Sequence, residues 1–348
     1  MNSINNLNYT IGKNIGNGTF GTVYNVQRSD GKKFALKKFN KESSDFDLGT
    51  LREISILQIL TLKSYNTLIL EDIIIFPDKT IGIIMAKYKM DLDKAIKKNI
   101  LTYAEKLNVT KKIAESLFFI KSNGIIHRDI KPENVLLDKK NNPVLCDFSL
   151  SKIYHGIAFE GTHTGNVATR TFRAPEIIEK KGYSFPADSW SFGIIIYMLF
   201  YNVNTKDLST DEEAMYFYLH NVKKLKSSIL NNSIKGLLLK DPNIRWGPEK
   251  VLRYMFKDVT EPPIIWESVK SFRISKTIKI ICKNFEVEKR ITRWAAQNYW
   301  NKTNCSPYSA VALACKFFET ELREFPELEE FPEDEMEIFK GLNYNLFI

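Results

Sequence analysis

The sequence predicts an α+β protein with two lobes, a small β-rich N-terminal lobe and a larger helical C-terminal lobe, followed by a small all-helical unit. Three observations predict this. Residues 9–87 carry short runs of alternating polarity around one helix-like stretch. Residues 88–256 are dominated by apolar residues recurring at about 3.6-residue spacing. A proline-broken segment then precedes further helical sequence that runs to Ile348. At 348 residues the chain exceeds a typical single domain, so one large unit plus a small one is the simplest arrangement.

Residues 1–8, Met1 to Asn8, form a polar tail with neither the basic start nor the apolar run of an export signal. Tyr9-Thr10-Ile11, Val23 to Val26 and Phe34-Ala35-Leu36 read as strands of the N-terminal lobe (9–87), and Leu51 to Leu62 as its helix. In the C-terminal lobe (88–256), helices are expected over Tyr103 to Ser122, Ser189 to Phe200, Asp211 to Leu225 and Pro248 to Phe256. Residues 257–264, with Thr260-Glu261-Pro262-Pro263, read as a linker, and 265–348 as the helical unit. No internal repeat or low-complexity tract is present.

The apolar share of 44% is ordinary for a globular protein, and no stretch approaches the length of an uncharged apolar membrane span. Cys146, Cys282, Cys305 and Cys315 form no CxxC pair and no zinc or disulfide spacing, so all are expected as buried or free thiols in a reducing, intracellular setting, cytoplasmic or nuclear. The net charge of +9 comes from lysines scattered among acids and apolar positions, without the dense basic run of a nucleic-acid module. Ten acidic residues fall between Glu319 and Glu337 against a single Arg323, which reads as a solvated face or a docking surface.

Gly16-Asn17-Gly18-Thr19-Phe20-Gly21, followed by Val23, lies between two strand-like runs. Glycines permit a backbone that closes over phosphates, although alone the run equally suits a dinucleotide site or a plain tight hairpin. Lys37 sits sixteen residues beyond Gly21, on a strand otherwise built for burial, and needs a counter-charge. Glu53 on the helical stretch supplies one, and the pair would hold the lysine against α- and β-phosphates. His127-Arg128-Asp129-Ile130-Lys131-Pro132-Glu133-Asn134, with Cys146-Asp147-Phe148 downstream, is the most informative run. Phosphoryl transfer needs a carboxylate to orient the attacking hydroxyl, a cation for the developing phosphate charge, and oxygen ligands for Mg2+. Asp129 fits the base, Lys131 the cation, and Asn134 with Asp147 the metal ligands.

At these residues the chain resembles the eukaryotic protein kinase superfamily, over Tyr9 to about Phe256. The resemblance implies the bilobal protein kinase fold, ATP with Mg2+, and protein Ser/Thr substrates, Lys131 marking the Ser/Thr branch. It further implies that Ile15, Gly16, Gly18, Gly21, Val23, Ala35, Met85 and Tyr88 surround the nucleotide, with Met85 as gatekeeper and Ala86 and Tyr88 as hinge. Glu176 in Ala174-Pro175-Glu176, Asp188 and Arg245 match structural supports of such folds. Leu51-Arg52-Glu53-Ile54-Ser55-Ile56-Leu57 looks like the cyclin-contacting helix of cyclin-dependent kinases. By that likeness Thr164 falls at an activating phosphothreonine, clamped by Arg52, Arg128 and Lys152, unless it is simply a loop threonine. Thr169 would help shape the hydroxyl site. Thr19 is a candidate inhibitory phosphosite, while Phe20 has no hydroxyl to modify. Ala168 and Arg173 would carry any Ser-Pro or Thr-Pro preference.

Three departures limit what carries over: the proline-favouring pocket, which rests on backbone geometry near Ala168 and on Arg173, and the two that follow. Ser149 replaces the glycine after Asp147-Phe148, which restricts a hinge and is expected to alter an active/inactive equilibrium. The stretch between Phe200 and Asn232 is short for the insert of cyclin-dependent kinases. The helical end, from about Ile291 to Leu346, resembles part of a cyclin box, with Lys316 and Glu335 at its paired kinase-contacting positions, or else is an ordinary helical extension. A kinase joined to a cyclin-like activator would hold it at roughly millimolar local concentration, the expected partner being the chain's own segment, that of a second molecule or an external cyclin, and such fusions are reminiscent of large DNA viruses acting in a host cell. The alternatives to an active enzyme are a pseudokinase scaffold and a regulator working through the cyclin-like end.

Overall fold

The computed structural model describes residues 9–18, 21–40, 48–63, 65–78, 80–153, 170–203, 208 and 210–263. The first lobe is a five-stranded antiparallel sheet in the order β1-β2-β3-β5-β4, from β1 (Tyr9–Gly18), β2 (Gly21–Arg28), β3 (Lys33–Phe39), β4 (Leu70–Ile75) and β5 (Ile81–Ala86). Strand alternation divides β3 between two apolar clusters. Phe34 and Leu36 join Tyr9, Val26, Ile74 and Ile84 on one face, while Ala35 and Phe39 join the main core on the other. Lys37 shares that inner face, and register sets it opposite Val23 on β2 and Ile83 on β5. Among the described residues, helix α1 (Leu48–Lys63) lies between β3 and β4.

The second lobe is helical, with a two-stranded sheet and a three-stranded one. In chain order it contains β6 (Met90–Asp91), α2 (Leu92–Lys97), α3 (Tyr103–Ser122), β7 (Ile125–Ile126), β8 (Val135–Leu137), β9 (Pro143–Leu145) and β10 (Lys152–Ile153). There follow α4 (Pro175–Ile178), α5 (Phe185–Tyr201), α6 (Asp211–Lys223), α7 (Ile229–Leu237) and α8 (Pro248–Phe256). Helices α3 and α6 begin with reciprocal capping boxes, Thr102 with Glu105 and Thr210 with Glu213, each satisfying two otherwise orphaned amides. Every residue of α5 from Ala187 to Leu199 is buried, as expected of a helix apolar all round. Among the described residues no helix is long and apolar enough to cross a membrane.

The helices expected over Tyr103 to Ser122 and Pro248 to Phe256 have those bounds in the structure. Helix α5 starts one turn before the expected Ser189, because Pro186 fits a first helical turn, where its missing N–H has no partner to lose. Helix α1 extends three residues earlier than Leu51, and α6 stops at Lys223 rather than Leu225. The short helices α2, α4 and α7 were not anticipated. The expected linker is packed down as far as the structure describes it: Asp258 pairs with Lys111 at 3.0 Å, and Asn123 Nδ2 donates to the Pro263 carbonyl at 3.0 Å. The tail 1–8 and the helical unit 265–348, with its cyclin-like stretch, lie outside the described residues.

Candidate active site

A cavity of about 470 Å³ lies between the lobes. Ile15, Gly18, Gly21 and Val23 line it from the first hairpin, and Ala35 and Lys37 from β3. Gly16 is paired with Val23 on that hairpin but does not line the cavity, and Thr19 and Phe20 are outside the described residues. Gly21 is required by packing, since a Cβ there would come 2.4 Å from the Lys38 carbonyl oxygen. Met85, buried, and Tyr88 line the side formed by the chain between the lobes. Burial raises the Tyr88 phenol to about 12, so it stays protonated. Leu68, Leu136 and Cys146 complete the apolar lining and were not anticipated.

Within the cavity, Lys37 Nζ donates to both Glu53 oxygens at 2.8 and 2.7 Å and to Asp147 Oδ1 at 3.3 Å. Glu53 is only 1% exposed, so this pair is desolvated. Burial disfavours the Lys37 charge, but the two carboxylates outweigh it and hold the ammonium above the ordinary lysine range. The same balance keeps Asp147 below the usual carboxylate range: burial opposes its charge, and Lys37 with the Ser149 hydroxyl overcomes that. The buried Cys146 thiol is pushed well up by desolvation, so it is an unreactive lining group.

Asp129 lies on the loop after β7, with Lys131 Nζ at 2.7 Å from its Oδ2 and Asn134 Nδ2 at 2.8 Å from the same oxygen. The loop is held from below. Asp188, at the start of α5, accepts the amides of His127 (2.8 Å) and Arg128 (2.9 Å), and burial still raises this carboxyl above its ordinary range. His127 accepts the Asp129 amide at Nδ1 (3.3 Å), so its Nε2–H points at the Cys146 carbonyl (3.0 Å) and ties the loop to the strand before Asp147. This role of His127 has no signal in composition or spacing.

The residues fit a nucleotide with a hard divalent cation. Among the described residues, Asn134 Oδ1 and Asp147 Oδ2 take no hydrogen bond, because Asn134 donates through Nδ2 and Asp147 is engaged through Oδ1. Both residues line the cavity, and two free oxygens there, with the Lys37 ammonium against Asp147, suit magnesium, which typically takes one or two protein ligands plus substrate phosphates. Arg128 is buried under the Tyr183 ring at 5.4 Å, with its Nε unpartnered, and desolvation weakens its hold on its proton. Lys152 sits on β10, paired with Ile126 of β7. Of Arg52 only the backbone in α1 is described, and Thr164, Thr169, Lys316 and Glu335 lie outside the described residues.

A two-lobed fold with this cavity defines a protein kinase domain, and the chain belongs to that family: the protein kinase domain model matches residues 9–257. A probable CTD kinase subunit alpha homolog from Encephalitozoon cuniculi is 31% identical over 224 residues, covering 64% of this chain and 65% of that protein. The carbon catabolite-derepressing protein kinase of Candida glabrata is 32% identical over 260 residues, 71% of this chain and 41% of that protein. The serine/threonine-protein kinase fused of Drosophila melanogaster is 31% identical over 257 residues, 71% of this chain and 31% of that protein. The alignments thus span less than two thirds of each of these relatives.

Proposed function

We propose that this chain is an active ATP-dependent protein Ser/Thr kinase. The observation that carries the reading is that Lys37, Asn134 and Asp147 line one cavity, Lys37 reaching Asp147, while Asp129 with Lys131 joins it through Asn134, whose amide and the Lys131 ammonium meet on one Asp129 oxygen. In this reading Asp129 orients the substrate hydroxyl and takes its proton as the oxygen–phosphorus bond forms and ADP departs. Lys131, held on Asp129, faces the transferred phosphoryl group, and Lys37 faces the α- and β-phosphates. Asn134 and Asp147 would hold magnesium, which would supply positive charge against the phosphate oxygens. Purified protein given radiolabelled Mg-ATP and generic acceptor proteins should label serine or threonine. Complete absence of label, including on itself, would sink the reading.

The pseudokinase alternative draws on Ser149. Ser149 keeps a negative φ, so its Cβ meets no left-handed backbone, and its hydroxyl supports Asp147 instead of displacing it. We further read the enzyme as similar to cyclin-dependent kinases, with Thr164 phosphorylated and held by Arg128, Arg52 and Lys152. The buried Arg128 with an unpartnered Nε supports an anion at that place. The Encephalitozoon cuniculi relative is described as a kinase subunit, which favours a partner subunit here, whether the chain's own residues 265–348 or an external cyclin. Removal of Ile264 to Ile348 leaves the Asp258 and Pro263 anchors in place. A large fall in phosphotransfer in the truncated protein is expected if that segment activates the kinase, and unchanged activity would exclude it.

A further inference from the structure

Ser149 is 3% exposed, and its Oγ donates to Asp147 Oδ1 at 2.8 Å. The same oxygen takes Lys37 at 3.3 Å, so Oδ1 is doubly engaged while Oδ2 is free among the described residues. Asp147 itself adopts φ 63, a left-handed backbone that a non-glycine residue holds only when its surroundings enforce it. Those surroundings are visible. Phe148 is fully buried against the His127 ring at 4.8 Å, and Ser151 closes the turn by donating its amide to the Phe148 carbonyl at 3.0 Å and its hydroxyl to the His127 carbonyl at 3.2 Å.

We propose that Ser149 is a positioning residue: its hydroxyl pins one oxygen of Asp147 so that the other is presented to magnesium, and it biases the turn towards the state in which Phe148 stays seated. A glycine at this place has no side-chain donor, so of the two side-chain groups on Asp147 only Lys37 would remain and its carboxylate could rotate about its side-chain bonds. The serine thus trades freedom of the turn for a preorganised metal ligand. This rests on the kinase reading, because the oxygen it aims is the one proposed to hold the cation.

The test uses the full chain with Ser149→Ala, Ser149→Gly and Ser149→Thr. Binding of a fluorescent ATP analogue is followed as Mg2+ is titrated, and phosphotransfer is measured alongside. Ser149→Ala should raise the magnesium concentration needed for half-maximal binding about tenfold, the worth of one hydrogen bond to a charged group. Binding of the analogue without magnesium should stay unchanged. Ser149→Gly should show at least the same magnesium defect, and Ser149→Thr, which keeps the hydroxyl, should restore the wild-type midpoint. An unchanged midpoint in Ser149→Ala, with wild-type protein responding normally to magnesium, would overturn the role of Ser149 and leave the kinase reading standing. Wild-type protein whose nucleotide binding ignores magnesium would take both down.

Discussion

Asp129→Asn should lower kcat by about 10²–10⁴-fold, the range for losing a positioned general base, while ATP affinity stays within a few-fold of the original. The substitution keeps the shape of the side chain and removes its charge. Two partners feel that loss. Lys131 Nζ at 2.7 Å and Asn134 Nδ2 at 2.8 Å both converge on Asp129 Oδ2, and an amide can offer them a carbonyl but no carboxylate. The fold should survive, because the loop is held by Asp188 and His127 through backbone groups that the change leaves intact. Parallel measurements of kcat, of ATP affinity by fluorescence and of the unfolding midpoint check this. A proportional loss of ATP affinity and stability would show that Asp129 serves structure rather than proton transfer.

Arg245→Ala should destabilise the domain by about 3–5 kcal/mol, the cost of removing one member of a buried ion pair. Arg245 has no exposed side-chain surface and meets Glu176 bidentately at 2.6 and 2.8 Å. Its guanidinium also donates to the carbonyls of Leu239 (2.8 Å), Pro186 (2.9 Å) and Lys240 (3.0 Å), and lies over the Trp190 ring at 5.2 Å. Alanine would leave the Glu176 carboxylate buried without its counter-charge and take away the donor that Arg245 gives each of these three carbonyls. Lysine should rescue little, since a single ammonium cannot reproduce the planar fork. Urea unfolding followed by circular dichroism measures the change, and a loss below about 1 kcal/mol would contradict it.

Much of this was legible because the chemistry constrains residue type. A buried lysine on β3 must find a carboxylate, and Glu53 was the acid available at helical spacing on α1. The capping residues of α3, Thr102 with Glu105, and the apolar stripe through Val109, Ile113 and Leu117 make that helix readable from periodicity. Helix α7 was not readable. Its Asn231, Asn232 and Gly236 have weak helical propensity, and the glycine is there because a Cβ would meet the Trp246 ring at 2.2 Å. Tertiary contact overrides propensity at that position. The Ser149 hydroxyl escaped for a different reason: the sequence shows a departure from a glycine, but only the backbone angles show that a side chain can be used there. The packed course of residues 257–263 against α3 was likewise hidden, because adjacent prolines mark a break in periodicity without saying what the broken segment rests on.

The two amides of His127 and Arg128 that close on Asp188 have one more consequence. The loop bearing Asp129 has no regular structure of its own; its shape is imposed by the first turn of a helix whose residues 187–199 are all buried in the larger lobe. Whatever loosens the seating of that helix therefore reaches the chemical step at once, even from far outside the cleft. Damage deep in the interior should thus silence the enzyme before it dismantles the nucleotide site, whose roof and lysine belong to the other lobe.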